Sequence, residues 1–434
     1  MPRVSIESLS YGGDAVAHLD DGRVAFVPYG CPGDVADIDI VADKGSFVRG
    51  SIAEIVAPGP GRVSAPCTYF GSCGGCSWQH VDYAAQLEAK TAAVGDALQR
   101  IGGVDSSLVR PCEPSPGQYN YRNKVELVSD PSAERLTLGY HRAGSDEIVP
   151  VESCLLLPKQ LVRAPRSVQG ALRYAGGDEG LDIMRVAVRA ALHTGDIEVA
   201  LWTPPSAFPR KHVATTLGSA VKTSSIVRVL TKDAPSAARK IAGVEVLAGR
   251  GYWREQLGDY TFAVSAPSFF QVNTAAAEKL VAIALDALSP SGIDHVVDVY
   301  SGAGTFTLPL AETAGSVTAV EAEGSALRDL RRNLESAQLD AELAPGDASR
   351  VLPEIGTFDL ALVDPPRSGL TAPVLQALVQ ARPSAIAYIS CDPPTLARDV
   401  QALRVSGYEL KAAWPVDLFP QTWHVETVAL LRAV

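Results

Sequence analysis

The segment DVYSGAGTFTLPL, residues 298–310, decides the fold, because it joins a strand pattern to a helix pattern through a glycine-rich turn. Gly302 and Gly304 stand in that turn, where missing side chains let a ligand approach the backbone and the helix amides. A turn of this kind either serves a dinucleotide-like ligand or only packs a helix closely on a strand. Taken alone, it predicts an α/β unit and leaves the ligand open.

Strand and helix patterns alternate on both sides of this segment. A helix pattern covers residues 274–288, and the tail gives two strands around Phe419-Pro420-Gln421. Between them, strand patterns that are each followed by a helix cover residues 296–300, 317–320, 360–363 and 385–390. We therefore expect residues 261–434 to form a Rossmann-like α/β domain, whose doubly wound parallel sheet ends in an antiparallel pair.

Several polar residues of this domain fall at strand ends. Glu321 ends the second strand about 20 residues after Asp298, where an acid can accept hydrogen bonds from the ribose hydroxyls of a nucleoside. Tyr300 ends the first strand, and Asp364 begins a rigid Asp-Pro-Pro-Arg turn after the third. Because open parallel sheets bind ligands at this edge, the set favours an adenosine-type ligand. Each residue alone is more often a solvated strand end or a structural turn.

A candidate nucleophile and a candidate base lie at the same edge. Cys391 follows the strand 385–390 and precedes a helix that begins near Thr395, so the positive helix terminus favours its thiolate. A thiolate can add to an electron-poor ring carbon, and a pyrimidine needs such an addition before it reacts at carbon 5. Glu426 and His424 open the last strand, and we favour Glu426 as the base. In isolation, such a cysteine is more often a small buried hydrophobe.

The first 260 residues have a different character. Residues 1–60 read as short alternating strands between Gly, Pro and Asp, which predicts a small β-barrel, and residues 57–61 resemble a linker. Residues 61–260 are predicted to form a mixed, β-rich central domain. A helix pattern covers residues 83–101 within it.

The chain has seven cysteines, and three of them form a C-x5-C-x2-C pattern. Cys67, Cys73 and Cys76 lie in a glycine-rich loop, and Cys154 is the natural candidate for a fourth ligand. Four thiolates fit either a [4Fe-4S] cluster or a structural zinc, and the spacing does not choose between them. The sequence therefore predicts a metal site with this set of ligands.

Composition limits the classes of protein to consider. Of the 434 residues 47% are hydrophobic, but no apolar run reaches the roughly 20 residues that cross a bilayer. The start of the chain lacks the features of a secretory signal, so we expect a cytoplasmic protein. The net charge of -11 argues against a polyanionic partner, yet residues 61–260 carry 23 basic and 20 acidic side chains. A polyanion would therefore lie mainly against the middle of the chain.

Together these motifs resemble the SAM-dependent RNA uracil-5-methyltransferase family over nearly the whole chain. The matching segments are CTYFGSCGGCSWQH (67–80), SFFQVN (268–273), DVYSGAGTFTLPLA (298–311), VDPPRSGL (363–370), YISCDPPTLARD (388–399) and DLFPQTWHVETVALL (417–431). The resemblance implies that residues 1–60 form a TRAM barrel and that the central domain binds RNA. It also implies that the helix near 83–101 packs on a class I methyltransferase domain at residues 261–434.

The resemblance also assigns roles to single residues. It implies that Cys67, Cys73, Cys76 and Cys154 hold a [4Fe-4S] cluster, with zinc as the lesser alternative. S-adenosylmethionine (SAM) would be bound by Gln271, Tyr300, Gly302, Gly304, Glu321 and Asp364. Cys391 would be the nucleophile and Glu426 the base. Ser301 departs from the cysteine found at that position in many members, which should matter little because the backbone carries that turn.

These assignments predict a mechanism and leave two rival functions. Cys391 adds to carbon 6 of a flipped uridine, carbon 5 takes the methyl group of SAM, and Glu426 removes the carbon 5 proton. One rival is an RNA-binding iron-sulfur protein with a vestigial methyltransferase domain. The other is a methyltransferase that acts on an amine, which would need no cysteine. The sequence does not tell ribosomal from transfer RNA, because specificity lies in loops and in RNA shape.

Overall fold

A computed structural model describes residues 1–231 and 241–434. The first strands form a closed barrel, and they are β1 (Arg3–Leu9), β2 (Ala15–His18), β3 (Val24–Val27), β4 (Val35–Asp43) and β5 (Phe47–Ala57). They pair in the order β1-β2-β3-β5-β4, and closure leaves no open sheet edge in this barrel. Side chains alternate between the interior and solvent, and in β2 this pattern buries Ala15 and Ala17 completely. The predicted N-terminal barrel is confirmed.

The middle of the chain forms a mixed sheet with two helices on one face. The helix α1 (Tyr83–Arg100) comes first and packs outside this sheet. The sheet and its two helices consist of β6 (Lys124–Ser129), β7 (Leu138–His141), β8 (Ile148–Pro150), α2 (Ala164–Gly176), β9 (Arg185–Ala190), β10 (Ile197–Thr203), α3 (Arg210–Val221), β11 (Ser225–Thr231) and β12 (Ile241–Gly249). The strand order is β12-β11-β10-β9-β6-β7-β8, in which β10 and β11 run parallel. Helices α2 and α3 pack together and bury Leu172 and Leu217 against the sheet.

A hairpin of β13 (Trp253–Leu257) and β14 (Tyr260–Val264) precedes the last part of the chain. The elements that follow are α4 (Thr274–Leu288), β15 (His295–Val299), α5 (Thr307–Thr313), β16 (Ser316–Glu321), α6 (Gly324–Ala337), β17 (Glu342–Pro345), α7 (Ala348–Ile355), β18 (Leu360–Val363), α8 (Ala372–Ala381), β19 (Ala385–Ser390), α9 (Pro393–Val405), β20 (Tyr408–Val416) and β21 (Glu426–Ala433). Their strands form one sheet in the order β17-β16-β15-β18-β19-β21-β20. The strands from β17 to β19 pair in parallel, whereas β21 is antiparallel to β19 and β20, as the sequence predicts.

Both faces of this sheet are covered by helices, which is why its strands are almost wholly apolar. Helices α4, α5 and α6 cover one face together with the β13–β14 hairpin. The other face is covered by α7, α8 and α9, joined by α1 from the first quarter of the chain. Val94 and Leu98 of α1 are fully buried in this core, so α1 packs on the last domain and especially on α9.

Polar contacts tie the three parts to one another. Buried Arg189 of β9 donates hydrogen bonds to the carbonyl oxygens of Ser265 and Ser268, at 2.9 and 2.6 Å. The segment that resembles a linker is itself packed, because the amide of Gly59 donates to Asp34 at 2.8 Å. A β-carbon on Gly59 would lie 2.4 Å from a backbone oxygen, so only glycine fits there. In the described part of the chain, no helix is long and apolar enough to span a membrane.

Candidate active site

The two glycines of the turn after β15 serve different purposes. Gly302 and Gly304 both have positive φ angles, of 57° and 98°. A β-carbon on Gly304 would lie 2.6 Å from the side chain of Leu330 and 2.7 Å from that of Leu308, so its missing side chain lets the turn pack on α6. A β-carbon on Gly302 would meet no atom within 4 Å. Gly302 is therefore the glycine beside open space, where a ligand can approach the backbone.

Glu321 lies beside this turn at the end of β16. Its carboxylate accepts hydrogen bonds from the amides of Gly302, at 2.8 Å, and Glu323, at 2.6 Å. Tyr300 has a φ of 67°, which is uncommon for a residue with a side chain, and its amide bonds to the carbonyl of Val320 at 2.9 Å. The structure thus brings Tyr300, Gly302 and Glu321 together at the carboxyl ends of β15 and β16.

Two carboxyl groups with raised pKa values lie near the turn, one fully buried and the other, Asp364, only partly buried. Asp298 of β15 is fully buried, and the hydroxyl of Thr307 donates to one of its oxygens at 2.5 Å. Burial raises the pKa of Asp298 to about 7. Burial, followed by the nearby charge of Asp298, likewise raises the pKa of Asp364 to about 7. The predicted site residue Asp364 is therefore an unusually basic carboxyl group, and Asp298 is a neighbour that the sequence did not single out.

Gln271 lies between the central sheet and α4. It is 4% exposed, and its carbonyl oxygen accepts a hydrogen bond from the side chain of Asn123 at 2.8 Å. Asn123 also donates to Thr274 at 3.0 Å, in the first turn of α4. The central domain therefore fixes the segment that carries Gln271.

The candidate nucleophile lies at the junction of β19 and α9. Cys391 is partly exposed, and the next residue, Asp392, caps α9 by accepting the amide of Thr395 at 3.0 Å. Burial raises the pKa of Cys391 to about 12, and the nearby carboxyl group of Glu426 adds to the shift. Burial and three neighbouring acids thus oppose the thiolate that the helix terminus was expected to favour. Arg367 is the cation that opposes them.

The candidate base faces the nucleophile across a strand pair. Ser390 at the end of β19 pairs with Thr427 of β21, which sets the adjoining residues Cys391 and Glu426 side by side. Glu426 is 6% exposed, and burial, reinforced by Asp364, raises its pKa well above the usual range. Burial lowers the pKa of His424 to about 4, so its neutral ring accepts a hydrogen bond from Arg367 at 3.0 Å.

The four predicted metal ligands line one cavity of about 390 Å³ in the central domain. The amide of Gly75 points at the sulfur of Cys73 at 3.4 Å. Phe270 and Val272, on either side of Gln271, also line this cavity. Among the described residues, however, no group of three or more His, Cys, Asp or Glu side chains has the arrangement that would hold a metal ion. Cys31 and Cys112 are buried elsewhere, against the barrel and α1 respectively.

Two site residues were not identified as such from the sequence. Arg367 was noted only as the end of a proline turn, yet its charge acts on Cys391, His424 and Glu426. Tyr11 belongs to the barrel, and its hydroxyl bonds to Asp392 at 2.9 Å. The Pro-Pro-Arg turn is only weak evidence, from the sequence, that Arg367 belongs to the site. No local pattern marks Tyr11, because its partner lies at the other end of the chain.

Comparison with protein families gives three matches along the chain. Residues 2–53 match the TRAM domain, residues 296–381 match a methyltransferase domain, and residues 354–434 match the tRNA (Uracil-5-)-methyltransferase family. The first match coincides with the barrel. The other two cover the strand ends that carry Tyr300, Glu321, Asp364, Cys391 and Glu426.

Full-length relatives agree with these matches. Uncharacterized RNA methyltransferases of Halalkalibacterium halodurans and Synechocystis sp. are 34% and 33% identical, and each alignment covers 99% of this chain and at least 95% of the relative. The crystal structure of Pyrococcus abyssi tRNA (uracil-54, C5)-methyltransferase, in complex with S-adenosyl-L-homocysteine, superposes with a TM-score of 0.78 at 27% identity. That match covers 99% of this chain and all of the other. The chain therefore belongs to the family of SAM-dependent RNA uracil-5-methyltransferases, and it is an enzyme that uses SAM.

Proposed function

We propose that this enzyme methylates carbon 5 of a specific uridine in RNA through a covalent adduct between the uracil and Cys391. The observation that supports this most directly is the register of β19 and β21, which sets Cys391 beside Glu426. A thiol and a carboxyl group side by side at a ligand-binding edge are what addition to carbon 6 and removal of the carbon 5 proton require. Methylation of an amine needs neither group, so this pair of side chains favours methylation of carbon 5.

The reaction begins when the thiolate of Cys391 adds to carbon 6 and the electron pair moves towards carbon 5. Bound SAM would supply an electrophilic methyl group to carbon 5, and its methyl–sulfur bond would break so that S-adenosyl-L-homocysteine leaves. Glu426 then takes the carbon 5 proton, the ring double bond reforms, and Cys391 leaves carbon 6 as a thiolate. A carboxylate with a raised pKa is a stronger base than an exposed one, which suits Glu426 to this proton transfer.

For SAM, we propose the site at the carboxyl ends of β15, β16 and β18. Its residues are Gln271, Tyr300, Gly302, Gly304, Glu321 and Asp364. Support comes from the open space beside Gly302 and from the carboxylate of Glu321, which accepts an amide of the same turn. In this arrangement Gly304 contributes by allowing the turn to pack on α6.

The RNA is proposed to be ribosomal or transfer RNA, with the target base turned out of its stack because carbon 6 is not accessible in a paired helix. The family model and the archaeal relative are both named for tRNA, which favours tRNA as the first substrate to test. The central domain, the least acidic part of the chain, is the proposed RNA-binding surface together with the barrel. We place the enzyme in the cytoplasm, where such RNA is found.

We further propose that Cys67, Cys73, Cys76 and Cys154 hold a [4Fe-4S] cluster. All four thiols line one cavity of about 390 Å³, and four cysteine thiolates are the usual ligands of such a cluster. The amide that points at Cys73 is a further feature suited to a sulfur that bears negative charge. Because methyl transfer moves no electrons, the proposed role of the cluster is structural.

Nucleoside mass spectrometry of ribosomal and transfer RNA, from cells with and without the gene, tests the reaction. We expect 5-methyluridine to disappear from one fraction, and plasmid-borne wild-type enzyme should restore it. Unchanged 5-methyluridine in both fractions, with no redundant enzyme in the genome, would refute the reaction.

Two variants then separate the proposed steps. Cys391→Ala should restore no 5-methyluridine and trap no RNA. Glu426→Gln keeps the shape but not the base, so RNA should remain covalently attached and shift on a denaturing gel. A Glu409→Gln variant, changed at an exposed residue of β20, should behave as wild type. Full activity of Cys391→Ala would instead support methylation of an amine.

A further inference from the structure

Five side chains form a closed ring of contacts around the turn that carries Cys391. Tyr11, in the turn between β1 and β2, donates its hydroxyl to the Oδ2 atom of Asp392 at 2.9 Å. The Nε atom of Arg367 lies 4.0 Å from the same oxygen. Arg367 also contacts His424, with 3.0 Å between Nη2 and Nδ1. Polar contacts therefore run from the barrel to the loop that precedes the candidate base.

Aromatic contacts close the ring. The rings of His424 and Trp423 lie 3.8 Å apart between centroids, and Trp423 meets Tyr11 edge to face at 4.7 Å. The guanidinium carbon of Arg367 lies 5.3 Å from the centroid of Trp423. Tyr11 thus touches the catalytic domain through its hydroxyl at Asp392 and through its ring at Trp423.

The barrel turn that carries Tyr11 is itself firmly held. The indole of Trp78, which is 1% exposed, donates to the carbonyl oxygen of Gly13 at 3.0 Å. The amide of Trp78 donates to the carbonyl oxygen of Gln421 at 3.0 Å, which links this turn to the loop before the base. Gly13 has a φ of 99°, and a β-carbon there would lie 2.7 Å from Trp423. The turn and the catalytic loop therefore fit closely, and the position of Tyr11 is well defined.

The Oδ2 atom of Asp392 has two competing neighbours. Tyr11 bonds to it, while Arg367 stays 4.0 Å away. If the hydroxyl were absent, this carboxylate would be free to form a close ion pair with Arg367, since charge-assisted hydrogen bonds are stronger than neutral ones. The charge of Arg367 would then be drawn from the catalytic groups towards Asp392.

That charge matters because the surroundings of Cys391 are mostly acidic. Three carboxyl groups, of Glu426, Asp364 and Asp392, act on the thiol, and Arg367 is the cation that opposes them. A thiolate at Cys391 therefore depends on where the guanidinium of Arg367 points.

We propose that Tyr11 is a positioning residue for methyl transfer: its hydroxyl holds Asp392 in place, so that the charge of Arg367 remains available to Cys391. This inference rests on the proposed role of Cys391 as the nucleophile. It makes the barrel a part of the catalytic centre as well as a proposed RNA-binding domain.

The test compares full-length Tyr11→Phe with wild type and with Tyr260→Phe. Tyr260→Phe is a matched control, because it also removes a hydroxyl that bonds to a carboxylate, that of Glu312, away from the ring of contacts. The probe is iodoacetamide, and peptide mass spectrometry reports the alkylation rate of Cys391 between pH 7 and pH 10. This measurement needs no RNA.

At pH 8 we expect Tyr11→Phe to slow the alkylation of Cys391 about tenfold, the effect of one pKa unit. Between pH 7 and pH 10, which lies below the raised pKa of Cys391, the rate should rise with pH in both proteins and stay about tenfold lower in Tyr11→Phe, while Tyr260→Phe should match wild type. A merely loosened fold would expose Cys391 and speed its alkylation. An unchanged or faster rate in Tyr11→Phe would therefore overturn the proposal.

A second pair of variants tests the route through Asp392. Asn keeps the helix cap but cannot form an ion pair with Arg367, so Tyr11→Phe should have no further effect in the Asp392→Asn background. Additive effects of the two changes would contradict this route.

Methyl transfer from labelled SAM to total RNA of cells that lack the gene provides an independent measurement. Tyr11→Phe should lower kcat and leave the KM for SAM unchanged, and an equal loss through KM would refute a positioning role. If wild type labels no RNA, the proposed function fails, but the alkylation rates still decide the role of Tyr11.

Discussion

At the scale of single residues, Asp298 is a carboxyl group that folding places in an unfavourable environment. One oxygen accepts the hydroxyl of Thr307, whereas the other has no hydrogen-bond partner in the described chain. Burial raises its pKa to about 7, so the folded state binds this proton more tightly than the unfolded chain does. Above pH 7 Asp298 therefore lowers the free energy of unfolding, and below pH 4 this penalty is absent.

Replacement of Asp298 by Asn should reverse that penalty. The Asn oxygen can still accept the Thr307 hydroxyl, and no charge remains to be buried. At pH 8 we expect the free energy of unfolding of Asp298→Asn to exceed that of wild type by roughly 1–3 kcal/mol, with no gain at pH 4. Urea titrations at the two pH values would measure this. Asp347 is the control, because its hydrogen bonds from Ser349 lower the pKa of its carboxyl group, so Asp347→Asn should show no such gain. An effect of Asp298→Asn that does not change with pH would contradict this origin of the penalty.

Single residues also differ in how far the sequence reveals them. Glu321 and Cys391 follow recognisable strands, so their place at the edge of the sheet follows from local patterns alone. The environment of Asp298 and the contact of Tyr11 with Asp392 do not. Both depend on chain segments that come into contact only in the folded protein, and no local pattern of apolar residues predicts such a contact.

At the scale of elements, α1 fixes the loop between β20 and β21. Lys90 of α1 and Asp417 of this loop form an ion pair at 2.5 Å, and both side chains are completely buried. Asp417 also accepts the hydroxyl of Tyr83 at 2.9 Å, and Lys90 donates to the carbonyl oxygen of Phe419 at 3.1 Å. The loop that leads to His424 and Glu426 is therefore held from a helix more than 300 positions away in sequence.

Removal of the buried cation should disturb both stability and activity. Lys90→Met keeps most of the side-chain volume but leaves Asp417 without its cation, for which a loss of about 3–5 kcal/mol in the free energy of unfolding is expected. Urea denaturation and methyl transfer to RNA would both report it, because the same loop leads to the proposed base, Glu426. Arg100→Met, which breaks the exposed pair with Asp96 in the same helix, should change stability by less than about 0.5 kcal/mol. Equal effects of the two variants would contradict this role for Lys90.

Helices and strands with regularly spaced apolar residues can be predicted from the sequence, whereas short polar ones cannot. The helix predicted at residues 274–288 and the strands at 360–363 and 385–390 match α4, β18 and β19 in their bounds. The strand β17 was missed, because its four residues, Glu342–Pro345, lie at the edge of the sheet and none of them is fully buried. The strand order of the central sheet was not predicted either, since pairing between distant strands leaves no local signal.

At the scale of the whole molecule, three parts of the chain converge on one edge of the catalytic sheet. The barrel reaches it through Tyr11, the central domain through Asn123, and α1 through Lys90. The cavity that the four cysteines line also contacts the segment that carries Gln271, because Phe270 and Val272 on either side of Gln271 form part of its lining. A group bound in the cavity would therefore support the segment that carries Gln271.

Loss of the proposed cluster should accordingly weaken the central domain more than it affects the chemistry. Cys154 comes from a different segment than the other three ligands, so a cluster would join residues 67–76 to the turn after β8. For Cys154→Ser, purified without oxygen, we expect loss of bound iron and of the visible absorbance of the cluster, a lower melting temperature, and weaker RNA binding with SAM affinity retained. Cys112→Ser, changed at a cysteine outside the cavity, should keep its iron. Wild-type protein that carries zinc or no metal would refute the cluster, whereas full stability of iron-free Cys154→Ser would refute its structural role.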